Sequence, residues 1–235
     1  MSTAHPTPIP DTEPRPVPPV EGLAPGTTAS WLDWATRTLD GASDSARADA
    51  EVLMAAQFRL PRSQLRPRFE ESILAALALQ FAAAVERRRM GEPVAYITGN
   101  QGFWSLELSV NPAVLIPRAD TEILVEWALQ MIQGASVMPV KAGAAARILD
   151  LGTGSGAIAL ALAREIGERA QVVATDCSEN ALKVAKENAR ALNINNVEFR
   201  VGDWFSALRN EADELFDLIV SNPPYSIKWA GDSNP

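Results

Sequence analysis

The chain holds one cysteine and one histidine in 235 residues, and each scarcity excludes a chemistry. A lone Cys177 rules out a disulfide framework and any zinc site built from several cysteines. The single histidine, His5, lies in a proline-rich start, so neither a Ser-His-Asp triad nor a histidine-held metal is available, and no metal site is expected. Positive charge is also short. Against 29 Asp+Glu stand 21 Lys+Arg, a net charge of -8, which argues against a chain that grips nucleic-acid phosphates, although a local basic patch remains open. There is no apolar run of about 18 residues, so nothing is expected to span a membrane. The start lacks a charged-then-apolar signal organisation, which makes the cytoplasm the expected location. What the chain does have is 47% apolar residues, enough for one ordinary domain and a small second one.

Residues 1–28 carry eight of the 17 prolines and almost no large apolar side chain, so they read as an extended, solvated tail. From Ser30 the spacing turns helical. Trp31, Trp34, Ala35 and Leu39 share a face, with Ser30 as N-cap and Gly41 as a stop. A second helix opens at Asp44 or Ser45 and ends before Pro61; a third runs from about Glu70 to Arg89 on Ile73, Leu74, Leu77, Phe81 and Val85. The run Arg87-Arg88-Arg89 reads as favourable charge at a helix C-terminus, with a docking patch for an acidic partner as the alternative. Gly91 to Pro117 reads as extended, with a strand through Phe103, Leu106, Leu108 and Val110, a turn at Asn111-Pro112 and a returning strand over residues 113–116. Asp120 or Thr121 caps the next helix, which buries Ile123, Leu124, Trp127 and Met131. Strands over 147–151, 171–175, 197–201 and 217–221 then alternate with helices over 157–166 and 178–192, the signature of βαβ units on a parallel sheet. The expected organisation is a tail (1–28), a helical domain (29–100), a β-hairpin linker (101–118) and an α/β, Rossmann-like domain (119–235).

Three motifs carry chemistry. Gly152-Thr153-Gly154-Ser155-Gly156 follows the first strand of the sheet, where glycines let a ligand approach the backbone and helix N-terminal amides are exposed. No Gly-Lys-Ser/Thr follows, so this is not a phosphate-binding P-loop, and the turn alone does not separate a nicotinamide enzyme from a methyltransferase. Asp176 ends the second strand, 24 residues after Gly152, where a carboxylate accepts both hydroxyls of a ribose; capping the next helix is a compatible role. Cys177 beside it reads as a small filler, with no base to activate it. Asn222-Pro223-Pro224-Tyr225 follows the fourth strand at the carboxyl edge of the sheet. Two prolines make a rigid corner. The Asn side-chain oxygen and a neighbouring carbonyl offer paired acceptors for a planar NH2 group, and Tyr225 an aromatic wall to hold it flat.

This tetrapeptide with a Gly-x-Gly-x-Gly turn resembles the amino methyltransferases that use S-adenosylmethionine (AdoMet). Gly91-Glu92-Pro93-Val94-Ala95-Tyr96-Ile97-Thr98-Gly99, Phe103-Trp104, residues 115–122 (Leu-Ile-Pro-Arg-Ala-Asp-Thr-Glu) and Asp203-Trp204-Phe205 are similar to one family among them, the peptide chain release factor N(5)-glutamine methyltransferases (PrmC/HemK). The resemblance implies methyl transfer to the side-chain amide of the Gln in the Gly-Gly-Gln motif of bacterial class 1 release factors. It implies a helical substrate domain, an AdoMet domain, and a monomer with no direct nucleic-acid partner. Cofactor contacts are implied at Gly152, Thr153, Gly154, Ser155, Gly156, Asp176, Trp204 and Asn222, with Asp150 orienting the loop or meeting the methionine ammonium. Substrate contacts are implied at Asn222, Pro223, Pro224 and Tyr225, with Asn222, Pro223 and Tyr225 closest to the reaction. On the residues alone Trp204 is equally a core side chain. The resemblance also implies a longer sheet than the four strands legible here, so the chain reads as C-terminally truncated, with Asp217–Ser221 as an exposed apolar edge. The tail after Tyr225, residues 226–235, departs from the family and is more similar to the residues after this tetrapeptide in DNA adenine methylase subunits of type I restriction systems. Alternatives left open are a DNA or RNA adenine methyltransferase, a fragment that only binds its partner, and, last, a nicotinamide oxidoreductase.

Overall fold

A computed structural model describes residues 26–133, 145–208 and 215–223. The expectations on the proline-rich tail up to residue 25, on Pro224 and Tyr225, and on residues 226–235 lie outside the described residues. Two compact units divide at Ile97/Thr98.

The first unit is built on α1 (Thr28–Leu39), α2 (Ala46–Phe58) and α3 (Ala75–Arg89), followed by the short α4 (Val94–Thr98). Helix α1 starts earlier than Ser30, because Thr27 is extended and its Oγ1 accepts the Ser30 amide at 3.3 Å. Helix α3 starts later than Glu70. The Phe69 and Glu71 carbonyls are taken by the α1 amides of Ala29 and Thr28, which commits that segment to an extended path and leaves Leu74 as an exposed cap residue. The core is a cluster in which Trp31, Trp34 and Phe81 meet edge to face at centroid distances of 5.5–6.4 Å, over Leu32, Leu53 and Met54. The three consecutive arginines are each paired: Arg87 with Glu92, Arg88 with Asp49 at 2.7 Å, Arg89 with Glu86 at 2.6 Å. A free basic docking patch there is not what the fold builds. Burial works to raise the Asp49 pKa, yet hydrogen bonds from Ser43, Arg88 and Ser45 outweigh it and hold the carboxyl below its ordinary value.

In the second unit, β1 (Asn100–Phe103) and β2 (Leu106–Ser109) form an antiparallel hairpin that turns at Trp104-Ser105, not at Asn111-Pro112. The Asn111-Pro112 segment is a local turn closed by the Val114 amide on the Asn111 carbonyl. Phe103, Leu106 and Leu108 are buried in the same core as the large sheet, so the hairpin, expected as a linker, falls inside this unit. Helix α5 (Glu122–Gln133) buries Val125 and Ala128, while Ile123, Trp127 and Met131, expected inside, stand 44–59% exposed. Its sequence is apolar on almost every side, so periodicity offers two stripes and the neighbouring α6 (Ala157–Ile166) selects one.

The large sheet is parallel, in the order β5 (Val197–Val201), β4 (Ala170–Asp176), β3 (Ala146–Leu151), β6 (Leu218–Ser221), with α7 (Glu179–Ala191) crossing from β4 to β5. Register aligns Leu151 with Thr175 on one side and Ser221 on the other, and Asp176 with Val201. Gly152, Asp176, Gly202 and Asn222 therefore come out at the same carboxyl edge. The strand order reverses beside β3, between it and β6, which is where open α/β sheets bind ligands. Among the described residues no helix is long and apolar enough to cross a membrane.

Candidate active site

A crevice of about 360 Å³ opens at that edge, within the range of small-molecule sites. It is bordered by Gly152, Gly154, Asp176, Trp204, Asn222 and Pro223, six of the residues expected from sequence. Thr153, Ser155 and Gly156 do not border it, although Thr153 and Ser155 line a smaller cavity shared with Gly152, Gly154 and Asn222. Thr153 and Ser155 are buried at 6% and 2% exposure. At Gly156, φ is +85°, and a Cβ would come within 3.0 Å of Leu160 and 3.3 Å of Ala185, so only glycine lets α6 and α7 close around the turn.

The loop's own amides are largely spent. Gly152 and Thr153 both donate to the Thr175 carbonyl at 2.9 Å, and Gly156 donates to Thr153. Gly154 donates to Asp176 Oδ2 at 2.9 Å, while Asp176 Oδ1 accepts the Ser178 amide at 2.9 Å. The turn is thus held as a fixed shelf, and Asp176 keeps a second lone pair on each oxygen for a ligand. Ser178 itself caps α7 through the Ala181 amide. Cys177 is exposed at the crevice rather than filling a core.

Asp150 sits beneath this shelf, fully buried, with Oδ2 accepting the Thr153 hydroxyl at 2.7 Å and no hydrogen-bond partner for Oδ1 among the described residues. Burial is the main cause that pushes its pKa up to about 6; the Thr153 hydroxyl and the Ala159 backbone pull the other way, and the Asp176 charge adds to the rise.

Trp204 is resolved between its two readings. It is 54% exposed and borders the crevice, so it is not a core residue. Its φ of +48° is unusual for a bulky side chain and falls in a tight turn. The turn after β5 folds onto Gly202 so closely that a Cβ there would stand 2.5 Å from the Ala207 nitrogen.

Two residues take roles at the site that the sequence pattern does not assign to them. Asn188, buried on α7, accepts the Ser109 amide at 2.8 Å and donates to the Ser109 and Ser155 carbonyls at 3.0 and 2.9 Å, tying hairpin, turn and helix together. Its only signal was a polar residue on an otherwise apolar helix face. Thr121 is the second: its Oγ1 accepts Asn222 Nδ2 at 2.9 Å.

The model of the PrmC N-terminal domain matches residues 30–99, and a methyltransferase domain matches residues 143–231. The release factor glutamine methyltransferase of Xylella fastidiosa (strain 9a5c) is 50% identical over 179 residues, covering 76% of this chain and 61% of the relative. That of Escherichia coli (strain K12) is 44% identical over 195 residues, covering 83% and 65%. Over most of its length the chain is similar to the release factor glutamine methyltransferases. It spans about three fifths of the length of these curated relatives. Among solved structures, a ribosomal protein L11 methylase from Lactobacillus delbrueckii subsp. bulgaricus shares 29% identity over 48% of this chain and 51% of that chain, at a TM-score of 0.36, too slight a likeness to bear on the site. A methyltransferase domain implies use of AdoMet in general, and the relatives do not favour a nucleic-acid adenine methyltransferase or an oxidoreductase.

Proposed function

We propose that the chain transfers the methyl group of AdoMet to the side-chain amide nitrogen of the Gln in the Gly-Gly-Gln motif of class 1 release factors, with the helical unit recognising the substrate protein. The observation that carries this reading is that the register of the sheet puts Asn222 and the Gly152–Gly154 shelf on either side of the strand-order reversal, bordering one crevice. The residues present fit the cofactor. A Cβ at Gly152 or Gly154 would meet no atom within 4 Å, so backbone is open to close approach; Asp176 offers acceptors for a ribose, and the exposed Trp204 a flat surface for adenine. When bound, AdoMet supplies an electrophilic methyl on a sulfonium sulfur.

The chain's own work is on the amide. An amide nitrogen is a poor nucleophile because its lone pair is delocalised into the carbonyl. Asn222 Oδ1 and the Pro223 carbonyl, accepting both N–H bonds, favour a pyramidal nitrogen with its lone pair toward the methyl. Pro224 and Tyr225 lie outside the described residues, and the roles proposed for them are those read from sequence, a rigid corner and an aromatic wall for the carboxamide. Held by the Gly152–Gly154 shelf and Asp176, AdoMet would supply the methyl to this nitrogen and would leave as the neutral thioether, and the surplus amide proton would pass to solvent. Positioning and fixed dipoles supply the rate.

The test is incubation of the 235-residue chain with methyl-labelled AdoMet and, in separate arms, a release factor or duplex DNA. Label in the release factor, lost when its Gly-Gly-Gln is changed to Gly-Gly-Ala, is the expected result. Label in DNA alone overturns it.

A further inference from the structure

The segment Thr121-Glu122 joins two places that sequence keeps far apart. Glu122 Oε1 accepts the backbone amide of Trp104 at 2.7 Å, across 18 residues, and so pins the hairpin turn, where Trp104 is held at a φ of +56°. Trp104 is fixed on its other side as well, its ring nitrogen donating to Glu165 Oε1 on α6 at 2.8 Å. Thr121, next in line, has its amide bonded to the Arg118 carbonyl at 3.0 Å, closing the turn of helix that precedes α5. From this anchored position its hydroxyl accepts Asn222 Nδ2 across 101 residues.

We propose that Thr121 is the positioning residue of the substrate amide: by holding Nδ2 of Asn222, it sets the plane of that side chain and leaves Oδ1 as the acceptor turned to the crevice. The inference rests on the reading that Asn222 receives a carboxamide. An Asn side chain has a broad, nearly two-fold terminal torsion, so an unheld Asn222 samples orientations in which its own N–H groups face an incoming NH2. Donor against donor binds nothing. The Thr121 hydroxyl, bonded to Nδ2 in this structure, fixes the plane of the side chain and disfavours those orientations before the substrate arrives, which is where preorganisation yields rate.

The test keeps the full chain and uses two substitutions, Thr121→Val, equal in shape but without the hydroxyl, and Thr121→Ser, which keeps it. With ¹⁵N-labelled asparagine, the Asn222 side-chain NH2 signals are identified by their loss in Asn222→Ala. In Thr121→Val they are expected to shift and to exchange with water several-fold faster; in Thr121→Ser they stay near those of the parent. Transfer to the release factor is expected to fall about tenfold in kcat for the valine variant, with AdoMet affinity unchanged and serine restoring the rate to within about twofold. Valine leaving the Asn222 signals unmoved overturns the proposal, as does an equal loss of rate with valine and serine, which would mark a purely structural residue. If the parent chain transfers no methyl while the Asn222 signals respond to valine and not to serine, the functional reading fails and the positioning of Asn222 by Thr121 stands.

Discussion

The helical and sheet units spend their interactions differently. In the helical unit the charged groups that matter are paired, as Arg88 with Asp49, the aromatic rings interlock, and the one non-glycine residue at positive φ among those described there, Arg59, ends α2 as a cap. In the sheet unit a buried carboxylate keeps an oxygen without a partner among the described residues, and two tryptophans, Trp104 and Trp204, stand in the left-handed region. Strain and unsatisfied polarity gather around the crevice or its supports, where they fix groups that packing alone leaves free. The helical unit is built for stability, and the sheet unit gives some of its stability up.

The sharpest way to break that comparison is Phe81→Ala. Removing a fully buried ring at the centre of the tryptophan cluster is expected to cost about 3–5 kcal/mol of helical-unit stability, read from denaturant melts. AdoMet affinity, read by calorimetry, is expected to stay within twofold; a large loss would tie the two units together. Next is Asn222→Ala, expected to lower transfer by about 100-fold or more, about 3 kcal/mol of barrier, with the melting curve unchanged.

Asp150→Asn comes third and carries a sign. The folded pKa is raised to about 6 from the ordinary 3.8, so the folded state prefers the neutral form. That preference stabilises the fold below about pH 4 and is lost as pH rises through 6, leaving a deficit of roughly 3 kcal/mol at neutral pH. An asparagine keeps the acceptor for Thr153 without the charge. The variant is expected to be more stable than the parent at pH 8, with the gain vanishing at pH 4; a gain constant with pH would mean that Asp150 does not titrate in this window. The smallest effect on stability is expected for Trp204→Gly, where relief of about 1 kcal/mol of left-handed strain offsets a similar entropic cost of glycine. Its AdoMet affinity should nonetheless fall about tenfold as an aromatic surface is lost.

Much of the sheet unit could be read from sequence because its logic is local. Short apolar runs at 147–151 and 217–221 end in a glycine turn and in Asn-Pro, and strands that alternate with helices leave few arrangements. The errors came where a distant partner decides. The start of α3 is set by α1 amides some 40 residues away, the buried stripe of α5 by α6, and the hairpin turn by a Trp at positive φ that no propensity favours. For the site, Asp176 and Asn222 were legible as side chains after strands. Asn188 and Thr121 were not, because each acts through hydrogen bonds that reach across 79 or 101 residues.

One modest bond sets the reading frame of the crevice. The Ser221 hydroxyl donates to the Leu151 carbonyl at 2.8 Å and locks β6 to β3 at their last paired residues. Side chains of a strand alternate between faces, so a slip of a single position would invert everything β6 presents. An inserted residue upstream of Leu218 could be absorbed in the preceding loop and go unnoticed in melting curves. The same insertion inside β6 would turn the asparagine to the wrong layer, so that the length of this strand, more than its composition, decides what the crevice receives.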